Sequence, residues 1–220
     1  MPAGTTTILC YGDSNTHGTK PLLQPGVLHR YEAHDRWPGV LRDRLGAGWT
    51  VIEEGLPART TVHDDPIEGR HKNGLAYLQP CLESHLPLDL VVLMLGTNDL
   101  KARFSVTPAD IAGSVEVLLK EVVARNAGLD GGKPRLLLVA PVPIEETGFL
   151  GAIFKGGAAK SRELASLYEQ VAARQGAAFL DAGAVVQVSP TDGIHFEVPQ
   201  HRRLGEAVAE AIAGMGIART

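Results

Sequence analysis

The sequence is poor in the features that most often assign a class. It holds only two cysteines in 220 residues, Cys10 and Cys81. That is too few for a disulfide framework, and each is expected as a reduced thiol packed like a small hydrophobe. Aromatic residues make up 5% of the chain. Positive charge is not in excess: 21 Lys and Arg stand against 25 Asp and Glu, for a net charge of −4. Such a chain has no electrostatic footprint for nucleic acid or an anionic membrane surface, and neither is expected as a partner. No apolar window approaches the length of a membrane span. The opening residues MPAGTTTILCYGDS lack the basic segment and long apolar stretch of a secretory leader, so a cytoplasmic location is expected. No Gly-x-Gly-x-x-Gly or Walker loop follows an apolar run, and no His-Glu-x-x-His spacing occurs. No cofactor and no metal are therefore expected.

What is present is an ordinary globular composition, 44% hydrophobic. A chain of this length buries about 70% of its unfolded surface, enough for a core without staples. There is no internal repeat, low-complexity segment or linker-like shift, so residues 1–220 are expected to form one domain. Apolar runs suited to strands recur at Thr6–Tyr11, Trp49–Glu54, Leu88–Leu95, Arg135–Ala140 and Ala177–Leu180. The third and fourth are apolar at nearly every position, as in strands covered on both faces. Between them lie stripes of helical period. One is Ile111, Val115, Leu118, Leu119 and Val122, opened by a Thr107 cap and Pro108. Others are Leu164, Leu167, Tyr168 and Val171, and Leu204, Val208, Ala211, Ile212 and Met215. A shorter helix is expected from Trp37-Pro38 to Gly46. Another spans Asn73–Leu86, where Pro80 must start, kink or divide it. Strands alternating with helices predict a doubly wound α/β protein with a five-stranded parallel sheet. Two long connections, Thr19–Arg36 and Pro141–Gly157, exceed the usual length inside a compact domain and suggest function or an interface.

Open α/β sheets bind ligands at the carboxyl ends of their strands. After the first run stands Gly12-Asp13-Ser14-Asn15-Thr16, and after the second Gly55-Leu56-Pro57-Ala58-Arg59-Thr60-Thr61. Gly96-Thr97-Asn98-Asp99 follows the third, and Asp192-Gly193-Ile194-His195-Phe196 precedes the last helix. Together these supply a hydroxyl nucleophile, amide donors and an Asp–His pair, the parts needed for acyl transfer.

Four blocks in order, YGDSNTHG, EEGLPARTT, MLGTNDLK and DGIHF, make the sequence resemble the SGNH (GDSL-like) hydrolase superfamily. The runs RWPGVL, VIEEGLPARTT, LPLDLVVLMLGTND and TDGIHF are similar to its bacterial arylesterase/acyltransferase branch. The resemblance implies a three-layer α/β/α, flavodoxin-like SGNH hydrolase fold. It implies Ser14 as nucleophile, His195 as general base and Asp192 as the group orienting it. The Ser14 and Ala58 backbone N–H groups and the Asn98 amide would form the oxyanion hole. Asn15, His17 and Phe154 are candidates to touch substrate. A small-molecule ester is the expected partner, and a homo-oligomer the expected assembly. The branch resemblance supports self-association, through the apolar stretch Gly148–Phe154 of the second long connection.

The sequence also departs from the pattern. Asn15 replaces the commoner Leu, and Ala58 stands where glycine is usual; its N–H serves as a donor if φ is negative. His17 stands where the closest branch would carry Trp. Asp13 and Asp99 are expected to bond backbone N–H groups of their own turns. His63-Asp64-Asp65 is expected as a solvated loop rather than a metal cluster, and His29 and His34 as surface residues. Arg59 and Lys101 are expected either in surface ion pairs or on an anionic substrate. Three functions share these residues: an esterase or acyltransferase on small esters, a carbohydrate O-acetyl esterase, and a non-catalytic binding protein on the same fold.

Overall fold

The computed structural model describes residues 5–217; the first four residues of the segment read for a leader lie outside that range. Five strands alternate with helices along the chain. Strand β1 (Thr6–Gly12) leads into the short helix α1 (Ser14–His17), and α2 (Trp37–Leu45) precedes β2 (Trp49–Gly55). Helix α3 (Gly74–Ser84), β3 (Leu90–Met94), α4 (Pro108–Ala124), β4 (Arg135–Ala140), α5 (Gly157–Gln175), β5 (Ala178–Asp181) and α6 (Val198–Gly214) follow. All pairings are parallel, in the order β2-β1-β3-β4-β5. The expected α/β/α layering with a five-stranded parallel sheet is the observed one.

The two-residue period of a strand divides the core into two clusters. Ile8, Cys10, Val92, Leu137 and Val139 point to one face, where Trp37 and Leu41 of α2 and Leu204, Val208 and Ile212 of α6 cover them. Leu9, Tyr11, Val91, Leu93 and Leu138 point to the other, under Leu78 of α3, Val115 and Leu118 of α4, and Leu164 and Tyr168 of α5. Cys10 and Cys81 are buried free thiols on opposite faces.

Local chemistry sets the helix ends. Thr107 and Asp110 close a reciprocal capping box on α4. Helix α3 runs through Pro80 without dividing. The ring and the Ala76 carbonyl that loses its donor both lie on the exposed side, where water can serve that carbonyl. Of the large apolar residues in the second long connection, Leu150 and Phe154 turn inward and Phe149 packs against the core; Ile153 is the exposed one. No helix among the described residues is long and apolar enough to cross a membrane.

Candidate active site

The carboxyl ends of β1, β2 and β3 and the loop before α6 converge on one cleft. At the end of β1 the chain turns sharply. A Cβ on Gly12 would lie 2.0 Å from Thr16 Oγ1 and 2.9 Å from the Met94 carbonyl, so only glycine fits between β1 and α1. Asp13 caps α1, its Oδ1 accepting the Asn15 N–H at 2.9 Å, as expected for a turn-forming carboxylate. The cap places Ser14 at the first helical position.

The opposing turn is built by Asp192. Its Oδ1 accepts the N–H groups of Ile194 and His195, both at 3.0 Å. Its Oδ2 accepts the Leu22 N–H at 2.7 Å and lies 2.6 Å from His195 Nδ1. Gly193 makes the turn possible: its φ is +73°, and a Cβ there would sit 2.0 Å from the Glu145 carbonyl oxygen. His195 Nε2 then stands 3.0 Å from Ser14 Oγ, across 181 positions of sequence. Ser14, His195 and Asp192 are all buried. Burial pushes the Asp192 carboxyl up, but the His195 bonds and the Leu22 N–H outweigh it and hold the group below the usual carboxylate range.

Ser14, Ala58 and Asn98 all line the cleft. The Ser14 and Ala58 N–H groups meet no acceptor among the described residues. Asn98 donates one amide hydrogen to the Arg59 carbonyl at 3.1 Å. Ala58 adopts a φ of +66°. The negative φ on which its N–H is conditioned as a donor is thus not the one observed: the turn keeps a glycine-like conformation, and alanine carries the left-handed strain.

The cleft has a volume of about 590 Å³ including its open mouth. Leu22, Leu28, Leu150, Ile153 and Phe154 give it an apolar wall, and Glu68, Lys72 and Lys101 a polar edge. Of the three residues expected to touch substrate, Phe154 lines the cleft. Asn15 and His17 do not line the cleft. Asn15 Nδ2 instead donates to the Ile194 carbonyl at 3.0 Å. The His17 ring pairs with Thr19 Oγ1, and burial, helped by Arg30 and Arg36, pushes its imidazole down to about 4.

Other expectations need correction. Asp99 does not serve its own turn alone; it clamps the second block by accepting from the Thr61 N–H at 3.0 Å and from the Thr61 hydroxyl. Burial pushes its carboxyl up to about 7 despite those bonds. Asp65 is no solvated loop residue but a buried anion held by Arg103 at 2.8 Å and Lys101 at 3.6 Å. His63 stacks on Phe104, and Asp64 faces outward to Arg70, so the three diverge. Arg59 is buried rather than on the surface. It donates to the Gly12 and Glu54 carbonyls and lies over the Tyr11 ring. Lys101 is buried in its carboxylate pairs. His29 and His34 are exposed.

Residues 10–203 match the model of the GDSL-like lipase/acylhydrolase family. The chain belongs to that family. Among solved structures it is similar to the M. smegmatis aryl esterase, at 43% identity over 96% of this chain and 99% of that one, with a TM-score of 0.90. It is also similar to a carbohydrate acetylesterase from Sinorhizobium meliloti, at 40% identity over 96% and 100%, with a TM-score of 0.91. A second carbohydrate acetylesterase family member from Sinorhizobium meliloti matches at 36% identity over 96% and 99%, TM-score 0.87. The chain matches none of the curated proteins. Leu22 and Leu28 of the first long connection and Ile153 of the second complete this GDSL-family cleft within segments the sequence had singled out, whereas Glu68 and Lys72 carry no motif and sequence reasoning missed them.

Proposed function

We propose that the chain is a serine-dependent carboxylic ester hydrolase acting on small esters. The observation that carries this is His195 standing between Ser14 Oγ and Asp192 Oδ2 at the apolar cleft's floor. In this reading Ser14 Oγ attacks the ester carbonyl carbon while His195 Nε2 takes the hydroxyl proton, and Asp192 stabilises the imidazolium. The Ser14 and Ala58 N–H groups and the Asn98 amide receive the charge that develops on the carbonyl oxygen. His195 returns the proton to the leaving alcohol, and water, or a second alcohol in acyl transfer, releases the acyl group from Ser14. The apolar wall suits short acyl or aryl groups. A serine-directed fluorophosphonate is expected to add one mass equivalent at Ser14 and abolish turnover. Ser14→Ala is expected to lower kcat by about 10³–10⁶; near-normal activity in that variant would overturn the mechanism.

A second reading, carbohydrate O-acetyl ester hydrolysis, is favoured by the polar edge of Glu68 and Lys72, which offers partners to sugar hydroxyls. Comparing kcat/KM on acetylated sugars and aryl acetates separates the two. Self-association is part of the proposal. Leu28 and Ile153 are exposed at the cleft's edge, and Leu23 stands out nearby on the same loop as Leu28. A second copy over them would bury apolar surface and exclude water from the acyl group. Light scattering reports the mass, and Leu28→Asp with Ile153→Asp is expected to dissociate the assembly. A cytoplasmic location completes the reading, supported by two buried, unpaired thiols.

A further inference from the structure

Two consecutive glutamates on edge strand β2 face opposite sides of the sheet. Glu53 points toward α2, where Arg30, Arg36 and Arg42 all pair with it. Glu54, one residue on, points to the α3 side by the period of the strand. Among the described residues its carboxylate pairs with no Arg or Lys; Oε1 lies 3.0 Å from His85 Nε2 instead. His85 caps the C-terminus of α3, four residues after Cys81, so the two side chains share one face of the helix. Donor atoms of Glu54, Cys81 and His85 all lie within 4.8 Å of one another.

We propose that Glu54, Cys81 and His85 form a binding site for a divalent transition metal ion of the zinc class, separate from the Ser14 cleft. None of the three lines that cleft. A carboxylate oxygen, an imidazole nitrogen and a thiolate sulfur form a mixed set that suits Zn²⁺ and does not suit Mg²⁺ or Ca²⁺, which take oxygen ligands. Tetrahedral zinc, with bonds of about 2.0–2.3 Å, holds its donors some 3.3–3.8 Å apart, so donors within 4.8 Å of one another would have to draw together on binding. Cys81 is buried at 1% exposure, whereas the Glu54 and His85 side chains are exposed by 20% and 29%. Two of the three ligands thus reach the protein surface, and the sulfur lies beneath them.

Cys81 is a free thiol. Binding breaks the S–H bond, forms the metal–sulfur bond and releases that proton to solvent, with no oxidant or reductant involved. The site also backs onto the oxyanion loop: the Glu54 carbonyl accepts from Arg59, whose own carbonyl holds Asn98.

Titrating the untagged, reduced protein with Co²⁺ tests the site. The expected result is a near-ultraviolet sulfur-to-cobalt charge-transfer band that saturates at one equivalent and is bleached by Zn²⁺. About one proton should be released per ion. Cys81→Ser is expected to lose the band. His85→Ala, at a partly exposed position with little bearing on the core, is expected to weaken binding about tenfold or more. No charge-transfer band in the folded wild type would overturn the proposal. So would a band that survives Cys81→Ser, or one indifferent to His85→Ala.

Discussion

Asn15 Nδ2 donates to the Ile194 carbonyl at 3.0 Å, fastening the residue after Ser14 to the residue before His195 across 179 positions of sequence. This buried bond ties together the two turns that carry the hydroxyl and the imidazole. Removing it leaves the Ile194 carbonyl without its partner, a cost of about 1–3 kcal/mol. Asn15→Ala is therefore expected to lower kcat on a small aryl ester about tenfold with KM nearly unchanged. A change in KM alone would make Asn15 a substrate contact instead.

Asn98→Ala is expected to reduce kcat by roughly 10²–10³ with little effect on KM, because its free amide hydrogen serves the transition state more than the substrate. Asp192→Asn is expected to cost about 10⁴ in kcat by favouring the wrong imidazole tautomer. Steady-state kinetics on one substrate measures both. Losses confined to KM would place these residues in binding rather than in chemistry.

Ala58 holds a left-handed backbone at φ +66°. Relieving it by Ala58→Gly, which retains the N–H, is expected to stabilise the protein by about 1 kcal/mol. That corresponds to a rise in Tm of about 2–4 °C for a chain of this size. Activity should be nearly unchanged. A fall in Tm would show that the alanine methyl packs usefully against the cleft.

His201 is fully enclosed, edge-on to Tyr31 and Phe196, and neither ring nitrogen meets a partner among the described residues. Burial first, then the nearby His195 and Arg36, pushes its imidazole down to about 3. In the unfolded chain the same group titrates near 6.5. Between about pH 3 and 6.5 the unfolded state thus binds the extra proton, and the stability present above 6.5 is lost as pH falls. His17, pushed down to about 4, acts in the same direction. His201→Leu is expected to move the acid-unfolding midpoint, followed by circular dichroism, to lower pH. An unmoved midpoint would assign acid unfolding to other groups.

The strands and helices were legible because their signals are local. The alternation that sends Leu9 and Tyr11 to one face and Ile8 and Cys10 to the other is written in consecutive residues. So is the Thr107–Asp110 capping box. Ser14 was legible through a short block at a strand end, and Asp192 and His195 through one just before the last helix. The parts that depend on contacts between distant loops were hidden. Nothing beside Asp99 in sequence announces that it clamps Thr61, 38 positions away. Nothing around Asp65 shows that Arg103 and Lys101 will bury it. Arg59 looked like a surface cation because charge alone does not reveal the Tyr11 ring and the two carbonyls awaiting it.

The Leu22 N–H on Asp192 Oδ2 has a consequence for how this cleft can diversify. Leu22 and Leu28 belong to the long first connection and form part of the wall against which an acyl group would lie. The carboxylate that holds His195 is thus also the mooring of the loop that shapes selectivity. Residues beyond Leu22 are free to lengthen, shorten or change character and so retune the wall. Any replacement loop must still deliver one backbone N–H to Asp192 at the same place. Grafting a foreign loop here without that donor would alter chemistry and selectivity together, whereas a graft that keeps it would change selectivity alone.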